Sequence, residues 1–152
     1  MGLEGILKTT VRVTVPYQDA DPSGVAWHGN YFRYFDTARC ALLDLFDYSY
    51  REMMNSGYMW PIIDTRVRFV HPVRYDDQIE VEALLAESEY RLKIKYVIRD
   101  LTGRTVTKGH TIQVAVEAAT GELCIGSPAA LLDRLAALEK RGIPEPVIYD
   151  HD

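Results

Sequence analysis

The chain has 152 residues, enough for one domain to build a core without disulfide or metal staples. Hydrophobic residues make up 47% and charged residues 26%, which excludes a disordered chain, a collagen-like repeat and a coiled coil. With 17 Lys and Arg against 22 Asp and Glu the formal charge is −5, a mean field that repels DNA or RNA unless cations cluster, so no nucleic-acid partner is expected.

Residues 10–15 alternate Val11, Val13 and Val15 with Arg12 and Thr14, the period of a strand. Residues 16–24 hold Asp19, Asp21, Pro22, Ser23 and Gly24 and read as loop and turn. From 30 to about 46, Tyr31, Phe35, Ala38, Leu42 and Leu45 recur at helical spacing. Phe32, Tyr34, Leu43 and Phe46 add apolar surface on other faces, so this helix needs wrapping, most economically by a sheet. Residues 48–61, rich in Met and aromatics and broken by Gly57 and Pro61, read as a short helix and loop. Strand patterns follow at 62–73, 78–86, 90–99 and 104–117. The clearest sends Tyr90, Leu92, Ile94, Tyr96 and Ile98 one way and Arg91, Lys93, Lys95 and Arg99 the other. Asp100-Leu101-Thr102-Gly103 and Ala119-Thr120-Gly121 are hairpin turns, and 122–125 completes a further hairpin. Leu131, Leu132, Leu135 and Leu138 give a short C-terminal helix ended near Gly142. The remainder to residue 152, with two prolines and three acidic residues, reads as a loose tail of a single domain spanning 1–152. Strands segregated from helices predict an α+β fold with an antiparallel sheet of about five strands.

Cys40 and Cys124 form neither a disulfide framework nor a zinc cage and read as small buried hydrophobes in a reducing compartment. No stretch reaches the ~18 apolar residues of a membrane helix, and the first ten residues lack the pattern of a secretory signal, so the expected location is the cytoplasm. Gly-rich phosphate loops, G-x-S-x-G and Cys-x-x-Cys are absent, and His28, His71, His110 and His151 lack metal-ligand spacing, so no metal is expected. His71 and His110 read as structural.

The chemistry concentrates in Tyr17-Gln18-Asp19-Ala20-Asp21-Pro22-Ser23-Gly24-Val25-Ala26-Trp27-His28-Gly29-Asn30-Tyr31, which joins the first strand to the apolar helix. Pro22 holds Asp21 extended and so restricts where its carboxylate points. Asp21 lies just upstream of a helix N-terminus, whose free N–H groups favour negative charge. Val25, Trp27, Tyr31 and Phe35 supply an apolar surround. A carboxylate, a helix N-terminus and a hydrophobic wall are the parts acyl transfer uses: a base or nucleophile, an oxyanion site and a pocket. Asp19 and Asn30 read as a turn-former and a helix cap.

The run from Asp21 to Tyr31 resembles the active-site signature of the 4-hydroxybenzoyl-CoA thioesterase and Tol–Pal-associated acyl-CoA thioesterase families, and Arg68-Phe69-Val70-His71-Pro72-Val73-Arg74-Tyr75-Asp76-Asp77 is similar to the strand and turn before their second hairpin. The resemblance implies a hotdog fold, a bent antiparallel sheet wrapped round the long helix. It further implies homodimers or tetramers with sites at the subunit interface, and hydrolysis of an aryl or fatty acyl-CoA without metal or other cofactor. Carried over by position, Asp21 is the catalytic carboxylate, accompanied by Tyr17 and His28, with the backbone N–H of His28 or Gly29 as oxyanion donor. Val25, Trp27, Asn30, Tyr31 and Phe35 are the substrate-binding candidates beside them. Asp21-Pro22 and Trp27 look like the hydroxybenzoyl type and His28 like the Tol–Pal type. Where the hydroxybenzoyl enzyme has a basic cluster, this chain has Glu87-Ser88-Glu89, which leaves Arg91, Lys93 and Lys95 as candidates for the CoA phosphates. Asp21 acting as general base and Asp21 acting as nucleophile both fit. Two other functions fit the same residues: a thioesterase for chains borne by acyl carrier protein or a polyketide synthase, and a non-catalytic acyl-binding module.

Overall fold

The alternating segment near the N-terminus forms β1 (Lys8–Thr14), with Thr9, Val11 and Val13 turned inward. The computed structural model describes residues 2–151. The apolar stretch forms α1 (Tyr31–Leu45), which buries Tyr31, Tyr34, Phe35, Ala38, Arg39, Leu42 and Leu43, one continuous stripe at spacings of three and four. A short α2 (Tyr50–Asn55) follows, capped by Ser49, whose side chain accepts from the Glu52 N–H. The strands come next: β2 (Tyr58–Met59), β3 (Ile62–Phe69), β4 (Gln78–Glu87), β5 (Leu92–Asp100), β6 (Thr105–Gln113) and β7 (Val116–Glu117). The chain ends with α3 (Ala129–Arg141) and β8 (Ile148–His151).

Six strands form one sheet in the order β3-β6-β5-β4-β1-β8, while β2 and β7 pair separately. All neighbours in the large sheet are antiparallel except β1 and β8, which run parallel. The tail expected to be loose therefore adds a sixth strand, pairing Thr10 with Ile148 and Val13 with His151. Two of the sequence's strand patterns are shorter than expected. The segment 62–73 stops pairing at Phe69, before Pro72, which has no N–H to donate. The segment 104–117 divides at Val114, where the chain leaves the large sheet to pair with β2.

One face of the sheet carries Val81, Ala83, Leu85, Leu92, Ile94, Tyr96 and Ile98, all buried in one apolar core with the inner face of α1 and with Leu131, Leu135 and Leu138 of α3. Phe35 stacks on Tyr96 with centroids 4.3 Å apart and planes 8° from parallel. Gly109 makes room for that stack, since a Cβ there would lie 2.8 Å from the Phe35 ring and 2.5 Å from the Arg66 carbonyl. Burying a ring of this size is worth about 1.5–3 kcal/mol. The opposite face of α1 stays open in the single chain, with Phe32, Arg33, Asp36 and Asp44 exposed.

Candidate active site

Two loops build the site, and backbone bonds join them. The first is the segment between β1 and α1, which contains single 3-10 turns at Tyr17–Asp19 and His28–Asn30. The second links β3 to β4. Ala26 N–H donates to the Val73 carbonyl at 2.6 Å, Tyr75 N–H to Gly24 at 3.2 Å, and Val25 bridges Arg74. Val15 and Asp76–Asp77 close the base, through Val15 N–H to Asp77 at 2.9 Å and Asp76 N–H to Val15 at 2.8 Å. The two sequence segments that carry the resemblance are thus one structural unit.

Asp19 anchors this unit, a role its sequence context does not show. It is only 2% exposed. Its carboxylate accepts from Arg33 Nη2 and, at 2.7 Å, from the Tyr34 hydroxyl. Its carbonyl accepts from Trp27 N–H and from Asn30 Nδ2, both at 2.8 Å. Asn30 therefore ties the loop to itself instead of capping α1, whose N-cap makes no side-chain bond. Arg33 and Tyr34, the two side-chain donors to the Asp19 carboxylate, lie two and three residues beyond Tyr31, on the first turn of α1.

Asp21 lies at the surface end of the loop. Its Oδ1 accepts from Ser23 N–H at 2.8 Å, from the Ser23 hydroxyl, and from Val25 N–H at 3.4 Å. The Ser23 hydroxyl above all holds this carboxyl below the usual carboxylate range, so it is charged at neutral pH. Oδ2 makes no hydrogen bond among the described residues.

A cleft of about 380 Å³ opens beside it, lined by Asp21, Val25, His28 and Tyr31 from the first loop and helix and by Phe69 and His71 from the second. Tyr31 stands edge-on to Phe69 at 4.9 Å, and His28 edge-on to the same ring at 6.4 Å. The N–H groups of His28 and Gly29 have no backbone acceptor among the described residues and open the turn leading into α1. The Trp27 ring lies across Gly29, so a Cβ there would have to push that exposed ring aside.

The structure separates the other candidates. Phe35, one turn beyond Tyr31, lies in the core and does not reach the cleft. Tyr17 is 77% exposed, packs edge-on to Tyr75 at 5.4 Å, and stands away from the cleft lining. Trp27 is exposed and flanks the cleft over Gly29, and Asn30 serves the loop. On the outer sheet face Arg91 Nε is bonded to Glu87 at 2.6 Å, and Lys93 stands opposite Glu87 in the register. Lys95 instead joins Arg66, Arg68 and Lys108 around a shallow depression of about 230 Å³. Arg68 and Lys108 are directly opposite each other, an arrangement that costs stability unless an anion sits between them. His71, expected to be structural, is instead among the residues lining the cleft; its place beside Pro72 in the second segment was the only signal. Among the described residues no group of three or more His, Cys, Asp or Glu is arranged to hold a metal ion, and no helix is long and apolar enough to cross a membrane.

Comparison with known proteins agrees with this architecture. The family model described as "Thioesterase-like superfamily" matches residues 15–146. A 4-hydroxybenzoyl-CoA thioesterase of a Pseudomonas species is 29% identical over 117 residues, 72% of this chain and 77% of its own. A crystal structure of a hypothetical protein from Aquifex aeolicus superposes with a TM-score of 0.75 at 28% identity, covering 83% of this chain and 98% of its own. A DHNA-CoA thioesterase from Staphylococcus aureus shares the fold, with a TM-score of 0.74 at 22% identity over 93% of this chain and 98% of its own. With residues 15–146 matched, a span that holds the loop, the long helix and strands β2 to β7, the chain belongs to the thioesterase-like superfamily of hotdog-fold proteins.

Proposed function

We propose that the chain hydrolyses an acyl-CoA thioester to the free acid and CoA, with Asp21 attacking the thioester carbonyl. The observation that carries the reading is the cleft itself. A charged carboxylate with one free oxygen, the His28 turn, whose N–H has no backbone acceptor among the described residues, and the apolar walls Val25, Tyr31 and Phe69 share one space. In this reading the N–H groups of His28 and Gly29 stabilise the oxyanion that forms when the carbonyl is attacked. His28 stands beside them. The name of the Pseudomonas relative supports CoA as the carrier. Arg66, Arg68, Lys95 and Lys108 would take its phosphates, replacing the expected trio Arg91, Lys93 and Lys95. The position of this patch on the outer sheet face favours one second reading, a thioesterase acting on acyl chains borne by an acidic carrier protein.

The working unit is a homodimer in this reading. The free edge of β3 runs eight residues and exposes Ile62, Ile63 and Phe69. Such an edge is a template for another strand. Antiparallel pairing about a two-fold axis brings the Ile62 end of a second copy next to Phe69 and Val70, which line the cleft. Both cysteines are free, in keeping with a reducing cytoplasm. The test is a panel of aryl-, short-, medium- and long-chain acyl-CoAs and acyl-carrier proteins, followed by release of free thiol. Turnover of CoA thioesters is expected. Tight binding without turnover of any member would overturn the reading in favour of a binding module.

A further inference from the structure

We propose that His71 is the base that activates the hydrolytic water in the second half of the reaction; this rests on the reading of Asp21 as nucleophile. Attack by Asp21 Oδ2 on the thioester carbonyl forms a C–O bond, breaks the C–S bond and releases CoA as thiolate, leaving an acyl–aspartyl anhydride. Water must then open that anhydride. Asp21 is consumed as the acyl carrier at this point, so the proton of the attacking water has to go to another group. The resting Asp21 is also a poor proton acceptor, since Ser23 and Val25 already bond its Oδ1 and hold it in the charged form.

The cleft offers two imidazoles. The His28 ring is engaged, 5.0 Å from the Trp27 ring and 6.4 Å from Phe69. The His71 ring makes no hydrogen bond, ion pair or ring contact among the described residues, yet lines the same cleft as Asp21. Its backbone, by contrast, is fixed. His71 N–H donates to Val106 at 3.0 Å, Pro72 follows, and the Val73 carbonyl is bonded to Ala26. A free side chain on a fixed backbone, half-buried at the wall of the cleft, fits a proton acceptor better than a packing residue. In the step, His71 takes one proton from water, the hydroxide oxygen adds to the acyl carbonyl, and the anhydride C–O bond breaks to return the Asp21 carboxylate. The imidazolium then passes its proton to the CoA thiolate or to solvent, so the sum is thioester plus water giving acid plus thiol.

The test is stopped-flow thiol release with His71→Gln and His71→Ala, using an acyl-CoA that the wild type hydrolyses. The expected result is a burst of thiol equal to the enzyme concentration, then turnover slowed ~10²–10⁴-fold. Because kcat/KM reports only steps up to thiol release, it should stay near wild type while kcat and KM fall together. Added imidazole should restore turnover to His71→Ala, which a packing role would not allow. Unchanged kcat in both variants would overturn the proposal, and so would a fall in kcat/KM as large as that in kcat, which would put His71 in the first step or in folding. A wild type active on acyl-CoA whose Asp21→Asn variant keeps full kcat/KM would instead remove the nucleophile reading on which the proposal rests.

Discussion

Asp19 and Asp21 are two residues apart and chemically identical, yet one is a buried anchor and the other borders the cleft, and paired substitutions should separate the proposed duties. Asp21→Asn removes the charge from an exposed loop carboxylate and keeps an oxygen that Ser23 and Val25 can still bond. Its melting temperature should match wild type, while kcat/KM for acyl-CoA falls ~10²–10⁴-fold through loss of the reacting carboxylate. Asp19→Asn acts on the buried anchor. Arg33 Nη2 and the Tyr34 hydroxyl both donate to the same Oδ2, so an amide that turns its oxygen there keeps both bonds and loses the negative charge that strengthens them. Hydrogen bonds to charged groups are worth about 1.5–3 kcal/mol, and the Arg33 share is discounted because that side chain is 56% exposed. The net loss is about 1–3 kcal/mol, or roughly 2–12 °C in melting temperature for a chain of this length. The Asp19 carbonyl still holds Trp27 and Asn30, so the activity of Asp19→Asn should fall less than about tenfold. Thermal melts by circular dichroism and thiol-release kinetics on the same samples decide the matter. The reasoning fails if Asp21→Asn melts early and stays active, or if Asp19→Asn melts with wild type and loses all activity.

Replacing Arg66, Arg68 and Lys108 with Ala should raise KM for acyl-CoA and leave kcat nearly unchanged, since phosphate contacts are equal in ground and transition states; unchanged KM would place the phosphates elsewhere. Thr65→Pro, in the middle of β3, should convert a dimer in sedimentation velocity to monomer with loss of activity, whereas a wild-type monomer that remains active would contradict pairing through this edge. Burial raises the phenol pKa of both Tyr34 and Tyr96, and the bond to Asp19 raises Tyr34 further. The fold thus prefers the neutral phenol, so their stability contribution is intact below about pH 10 and is lost as pH rises toward the folded values. Melting temperature should therefore drop steeply above about pH 10, and a flat profile to pH 11 would count against it.

The long helix and the strand pattern were legible because periodicity reports which face is covered, and the covered faces here are continuous. What the sequence hid was tertiary. Asp19 and Asp21 look alike until Arg33 and Tyr34 are brought back against the loop. Tyr31 and Phe35 share one face of α1, but four residues advance about 6 Å along the axis, which takes Phe35 from the mouth of the cleft into the core. The cationic row on β5 was visible, whereas its regrouping with β3 and β6 depends on register. Arg39, with its side chain 4% exposed against Tyr50 and Asp36, had no sequence signal beyond its place on the helix.

The parallel strand at the C-terminus has a consequence for how large an assembly can grow. A sheet with two long open margins can add copies without limit, whereas one with a single open margin closes on itself at two. Here β8 occupies the β1 margin. It is only four residues long, carries Asp150, and follows Pro144 and Pro146, so it makes a poor template for a further strand. In the proposed homodimer growth is left to β3, and pairing two chains through that edge uses up the margin. In that reading the residues expected to form a loose tail act as a terminator, and a chain shortened before Ile148 should regain a second open margin and the capacity to form open-ended fibres.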